Sequence, residues 1–473
     1  MLSFRLLCGV VALGCGSAQV ARGQSAPAAS TSADSVLTLS DAIRLADANF
    51  PLLRARDEDA RAAHEVLVRT KETYLPSVDL GGQISRATDN NLTGLSFSQS
   101  VIQPITGIVR ADNENNLIYG SAVGASVTWT PFTFGRREAE VRAAHGELTR
   151  ASGVAAGQRF QHQLDVGASY MTALAAEALV RVQQGNVDRA SEVVRSVEAL
   201  ARSGLRAGAD SLLAEADASH ARLTLFAAQR DVTAARRLLA EAIGGSPGQR
   251  ALTAGLEGQR LLDQLPDSMV PATPSFDAHP LAAPFHARVD ADAAQRTAIA
   301  RSLFPTVSLL GAAFGRGSGA NANGQFDPSL SGIDLTRFNY AVGVSVGLPL
   351  WNLFSAGPRI GEAAAHERSA AAEYDGELQH LASQRDVAAA DFALALREAA
   401  ETPVQRAAAA GAAQQMNVRY GAGLATLADV AQAQLALTRA ETDDVLARLG
   451  AWRARLALAG ANGDLTPFLA LVR

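Results

Sequence analysis

From Phe338 to Leu350 every second residue is apolar: Phe338, Tyr340, Val342, Val344, Val346, Leu348 and Leu350. Asn339, Ala341, Gly343, Ser345, Gly347 and Pro349 stand between them. A period of two sends successive side chains to opposite faces of a strand, so the stretch predicts a strand near 337–350 with one greasy face and one face of small residues. Val78, Leu80 and Ile84 alternate with polar neighbours in the same way, as do Val123, Ala125, Val127 and Trp129. A further strand is predicted near 305–316. Small polar residues do not fill a core; they suit a watery lumen, and the apolar face suits lipid or a core. Around the strands the period becomes helical. It runs from LTLSDAIRLADANF to Tyr74, where Leu75-Pro76 stops it. Pro131 to Gly204 and Pro349 to Gly423 are each long enough to extend roughly 110 Å as continuous helix. Glycine-centred breaks (Gly204 to Gly208, Gly421 to Gly423) then precede returning helices over Asp210–Ala242 and Asp429–Leu458.

This order occurs twice. Pro51 and Pro76 return as Pro280 and Pro305 at one offset (280 − 51 = 305 − 76 = 229). The strand-closing prolines and hairpin aspartates return at nearly one offset too (349 − 131 = 218; 429 − 210 = 219). The chain is therefore an internal duplication in which one loop has changed length. The first repeat covers 35–243 and the second 276–460, with hairpin tips near 204–210 and 421–429. A Gly- and Pro-rich connector occupies 244–275, and 461–473 forms a C-terminal tail.

Composition narrows the class. Net charge is −5 and the only lysine is Lys71, which excludes both a general nucleic-acid footprint and a Gly-Lys-Ser/Thr phosphate loop. Residues 1–23 read as a secretory signal peptide, with Arg5, a short apolar run and small residues before the cut. Cys8 and Cys15 both lie inside it, so a mature chain has no thiol; Cys15 is alternatively a lipidation site. The histidines show no close metal-ligand spacing, and neither a metal nor a cofactor is expected. No run of about 18 apolar residues follows the signal, so any membrane contact must use strands.

Four strands cannot close a membrane barrel, and open edges cannot face hydrocarbon, so other copies of the chain must complete the sheet. Each half carries Leu-Pro or Phe-Pro before its first strand, Pro-Phe-x-x-Gly or Pro-Leu after its second, and a Gly-Leu-x-x-x-x-Asp hairpin tip. In this order the chain resembles the TolC-like outer-membrane efflux proteins over essentially its whole mature length. The resemblance implies a mainly α protein with membrane β structure: a homotrimer sharing a twelve-stranded β-barrel in the outer membrane, continued by a long α-helical barrel in the periplasm. It also implies passive export for an inner-membrane pump docked through a periplasmic adaptor protein, or type I protein secretion through the same duct. A periplasmic coiled-coil adaptor is the competing architecture, but it would lack the two sets of amphipathic strands.

The resemblance also directs attention to the tips. Asp429 and Asp210 open the returning helices, where an aspartate caps free backbone N–H groups. The resemblance makes them lining residues of the periplasmic entrance, with Gln432 standing where the family carries a second acid. A ring of three Asp429 would favour cations and raise its own pKa by like-charge repulsion. Gly204, Leu205, Gly423 and Leu424 occupy the tips, as turn formers or as the adaptor docking surface. Gly343-Val344-Ser345-Val346-Gly347 matches a hydrolase nucleophile elbow letter by letter, but that motif needs a strand-to-helix turn at the serine. Gly315-Arg316-Gly317-Ser318-Gly319 reads as an extracellular loop. Trp129, Trp351 and Tyr340 are candidates for an aromatic girdle or for ordinary packing.

Overall fold

The computed structural model describes residues 37–88, 117–203, 208–245, 259–268, 276–319, 325 and 327–472. Residues 1–23, read above as a signal peptide, with Cys15 among them, and the first-tip residues Gly204 and Leu205 lie outside them. Helix α1 (Leu39–Asn49) is capped by Thr38, whose hydroxyl accepts the Asp41 N–H at 3.0 Å. The sequence pattern predicts one helix to Tyr74. Instead the chain breaks at Phe50 (ψ 121°), because the residue before a proline is driven out of the helical region, and α2 restarts at Pro51–Glu72. β1 (Ser77–Thr88) and β2 (Leu117–Phe132) follow, then the single long helix α3 (Arg136–Arg202) and its return α4 (Gly208–Ala242). Within the connector, the described helix α5 (Gln259–Asp263) is one short turn.

The second repeat runs α6 (Ala283–Arg301), β3 (Thr306–Ser318), β4 (Arg337–Gly347), α7 (Leu350–Gly421) and α8 (Leu427–Ala461); α9 (Thr466–Leu471) ends the chain. Two strand boundaries differ from the sequence reading. β4 stops at Gly347, not near 350, because Pro349 has no N–H for the ladder and instead opens α7. β3 reaches Ser318, so Gly315-Arg316-Gly317-Ser318 is paired strand, not loop; the glycines make room where Asp334 and Gly332 carbonyls approach Gly317.

The four strands form one antiparallel sheet in the order β1-β2-β3-β4. Register puts Leu80 opposite Ala125, Ala125 opposite Ala313 and Ala313 opposite Tyr340. Directly opposed residues share a face, so the alternation read in single strands becomes one continuous surface across all four.

The helices continue away from one end of the sheet. At 67 and 72 residues, α3 and α7 span roughly 100 and 110 Å at 1.5 Å per residue. Each long helix has shorter companions along it: α2, α6 and α4 on α3, and α6 and α8 on α7. At Gly146 a Cβ would lie 2.8 Å from Ala291 Cα, so only glycine permits this approach of α3 to α6. The main core gathers α1, α3, α4, α8 and α9 around Tyr170, Met171, Leu239, Trp452, Leu456 and Phe468. Tyr170 Oη donates to the Leu37 carbonyl at 2.9 Å, so this phenol is buried with its polar atom satisfied. The C-terminal tail is thus anchored by Phe468, which is fully buried.

Candidate channel lumen and entrance

The sheet has two chemically distinct faces. One carries Val78, Leu80, Ile84, Val123, Val127, Trp129, Leu309, Phe338, Tyr340, Val342, Val344 and Val346. Leu80 and Val342 on it are more than four-fifths exposed, at 83 % and 86 %. Isolated in water, such a surface would cost about 25 cal/mol for every Å² left wet. The other face carries Ser77, Asp79, Gln83, Ser126, Thr128, Thr130, Ser308, Asn339 and Ser345, with Gly81, Gly124 and Gly343 among them; Leu310, Phe314, Arg316 and Arg337 stand in the same rows. Thr130 and Ser308 hydroxyls pair across it at 2.9 Å. The apolar face suits lipid and the polar face a lumen. Trp129 sits on the apolar face near the helical end of the sheet and donates its indole N–H to the Tyr74 carbonyl at 3.0 Å, as an interface tryptophan does. Tyr340 is within the apolar face rather than at its edge, and Trp351 is in the first turn of α7.

Ser345 lies inside β4, opposite Ser308, with the strand continuing beyond it to Gly347. The sharp strand-to-helix turn of a nucleophile elbow is not present at this serine. No described helix is long and apolar enough to cross a membrane. Among the described residues no group of three or more His, Cys, Asp or Glu side chains is placed to hold a metal ion.

At the opposite end of the helices, the second tip is a helix stop followed at once by a helix start. Gly423 takes φ +80°, its N–H reaches the Tyr420 carbonyl at 3.0 Å, and the Leu424 N–H reaches the Arg419 carbonyl at 2.8 Å. That pair of bonds satisfies the last carbonyls of α7 and requires a left-handed residue, which glycine supplies. Thr426 then caps α8. Asp429 Oδ2 accepts the Thr426 N–H at 2.8 Å and its hydroxyl at 2.7 Å, and Thr426 Oγ1 accepts the Asp429 N–H at 3.2 Å. This is a reciprocal capping box. Hydrogen bonds from the Thr426 backbone, then its hydroxyl, hold the Asp429 carboxyl below the usual aspartate range. Within one protomer the direction is therefore down, opposite to the rise that a ring of like charges would add.

Asp429, Gln432 and Leu424 are exposed, while Val430 turns inward. Asp210 behaves differently. It is partly covered, and Tyr420 of the other hairpin donates to its Oδ2 at 3.4 Å. Around this link Val197, Ala214, Tyr420, Leu427 and Val430 form a small apolar cluster joining the two hairpins. The tip thus brings Asp210 into contact with the second repeat and leaves Asp429, held in its own capping box, and Gln432 exposed on the surface of α8.

Two polar couplings farther from the tip join helices that the sequence could not pair. Arg189 of α3 grips Glu441 of α8 at 2.8 and 3.1 Å and also reaches the Thr438 hydroxyl. Asp444, 2 % exposed, accepts from Thr402 at 2.9 Å and pairs with Arg406 at 2.8 Å and Arg448 at 3.0 Å. The TxxD pattern at 426–429 was readable as a cap. Tyr420, Thr402 and Asp444 carried no local signal, because their partners are far away in sequence or on another helix.

The outer membrane efflux protein family matches residues 42–245 and 279–464, the two halves of the repeat. The chain belongs to that family. Its place is therefore the outer membrane, with the helical part in the periplasm. Among curated proteins it is 30 % identical over 253 residues to Protein CyaE of Bordetella pertussis, across 51 % of this chain and 48 % of that one. In that match the chain spans about half the length of its relative. Solved structures share the fold at low identity. The outer membrane protein VceC of Vibrio cholerae has a TM-score of 0.69 at 19 % identity, covering 90 % of this chain and 96 % of its own. The CmeC outer membrane channel of Campylobacter jejuni has a TM-score of 0.71 at 14 % identity, covering 90 % and 85 %.

Proposed function

We propose that this outer membrane efflux family member is the exit duct of a tripartite efflux pump, a homotrimer that passively conducts substrates delivered by a periplasmic adaptor and an inner-membrane pump. The observation that carries this is the sheet: four strands, one largely apolar face, one face of mostly small and polar residues, and two unpaired edges, β1 and β4. Unpaired backbone groups in hydrocarbon each cost several kcal/mol, so the edges must close against further copies. Three copies give twelve strands, enough for a lumen, where two would give a barrel filled by side chains. The long helices then extend that lumen. Exposed Leu212, Leu223 and Phe226 on α4, and Val387, Leu394 and Val404 on α7, provide the apolar faces by which neighbouring protomers pack.

The tip is where such a duct would be regulated. The Tyr420–Asp210 bond and the apolar cluster beside it tie the two hairpins of one protomer. Separating them would widen the entrance, and the exposed tip residues Gly423 and Leu424 offer the surface an adaptor would engage. Asp429 and Gln432, on the free face of α8, would line the opening.

Electron microscopy of the mature protein, extracted from membranes in mild detergent, tests the reading. The expected particle has three-fold symmetry and a length of roughly 140 Å, from helix and strand rises. A monomeric or two-fold particle would refute it.

A further inference from the structure

The polar face of the sheet holds one placement that the duct reading leaves unused. Arg316 of β3 stands directly opposite Arg337 of β4, in a row continued by Ala122 and Gln83. Like charges directly opposite each other destabilise an antiparallel pair. Nothing described offsets the cost, because neither arginine has an ion-pair partner among the described residues. The register is firmly held all the same. The Thr336 N–H donates to the Arg316 carbonyl at 2.9 Å, and Ser121 Oγ donates to the Ile333 carbonyl at 2.9 Å. The segment that makes these bonds packs over Gly317, which is on the apolar side of the sheet, so Arg316 and Arg337 project from the other side. A local rule is broken at a rigid position, and such violations mark function more often than neglect.

The row also lies at a definite depth. β3 leaves the helical end at Thr306 and β4 returns from the outer end at Arg337, so the pair is near the mouth opposite the helices. The lumen-side acid of these strands, Asp79, falls in the row of Ser126, Ala312 and Ala341, four residues closer to the helices. At 3.4 Å per residue that separates acid from base by about 14 Å.

We propose that Arg316 and Arg337, contributed by each of three copies, form a basic ring at the outer mouth that binds multivalent inorganic anions and favours anions in conduction. This rests on the duct reading, since no single chain completes the ring. Guanidinium forks suit phosphate-type oxygens, and among the described residues neither arginine of the pair has an ion-pair partner that would occupy its donors. The ring would act on cargo or ions leaving the duct, at the far end from Asp429.

The test is a planar-bilayer recording of the mature protein across a potassium chloride gradient at low salt, where the Debye length is about 30 Å at 0.01 M. The wild type is compared with the Arg316→Gln/Arg337→Gln double variant. The expected result is a fall in the chloride-to-potassium permeability ratio by about two-fold or more, since a ring of charge sets ion preference. Tripolyphosphate added on the barrel side should reduce wild-type conductance and leave the variant unaffected. Channels of ordinary conductance with the ratio and the tripolyphosphate response both unchanged would overturn the proposal. Absence of channels in the wild type would instead overturn the duct reading, and the ring with it. If the double variant does not insert, Arg337→Gln alone reads the same effect at about half size.

Discussion

Replacing Tyr420 by phenylalanine removes one oxygen from the tip and nothing else. That oxygen donates to Asp210 at 3.4 Å, across a separation of 210 positions in sequence. A hydrogen bond to a charged acceptor contributes about 1.5–3 kcal/mol at good geometry, but this one is long and near the surface, so about 0.5 kcal/mol per protomer is the better value. Three symmetric copies released together would shift the closed-to-open balance by about 1.5 kcal/mol, close to ten-fold. The ring itself stays in the cluster of Val197, Leu427 and Val430, so the shift reports the bond rather than lost packing. Single-channel recording in bilayers provides the assay: open probability should rise about ten-fold in Tyr420→Phe at unchanged unit conductance. Asp210→Ala, which removes the acceptor, should give a similar rise, and the double variant should add little to either. If the two single variants shift open probability independently and additively, or if neither does, the link does not hold the hairpins together.

Other consequences concern stability and charge. Gly146→Val drives a side chain into Ala291 and should destabilise by about 1–3 kcal/mol through overpacking, seen as a lower thermal unfolding midpoint. Gly376→Ala, where a Cβ meets open space, should raise that midpoint by removing a helix-interior glycine, worth about 1 kcal/mol. His279 is 2 % exposed; its Nδ1 accepts the Leu281 N–H at 3.2 Å, so the proton is on Nε2, which donates to the Gly460 carbonyl at 3.1 Å. Burial lowers its pKa below the ordinary value of 6.5, so the unfolded chain takes up a proton first. Stability from this site is full above about pH 6.5 and is lost as pH falls from there toward the folded value. Unfolding followed between pH 7.5 and 5.5 should show that loss in wild type and its absence in His279→Gln. Asp429→Ala should lower cation preference in a bilayer recording and shorten the ordered start of α8; unchanged selectivity would remove Asp429 from the entrance lining.

What the sequence determined by itself is whatever depends on neighbours a few positions away. The period of two in β4 and β2 specified two faces before any pairing was known, because side chains alternate along an extended chain whatever lies beside it. The duplication, the long helices and the glycine stop at Gly423 were legible for the same reason. Two errors were local as well: Pro349 ended β4 where alternation alone ran on, and Pro51 broke a helix that periodicity carried through Phe50. The tertiary structure decided everything that needed two distant segments in register. It alone set Tyr420 against Asp210, buried Asp444 between Arg406 and Arg448, made His279 neutral against Gly460, and turned Arg316 to face Arg337. A helix presents a side chain every 100° around its axis, and a slip of one residue between α7 and α8 would present a different set. Those contacts are therefore selected by how whole faces of Ala, Gly and Leu pack, not by the residues that end up touching.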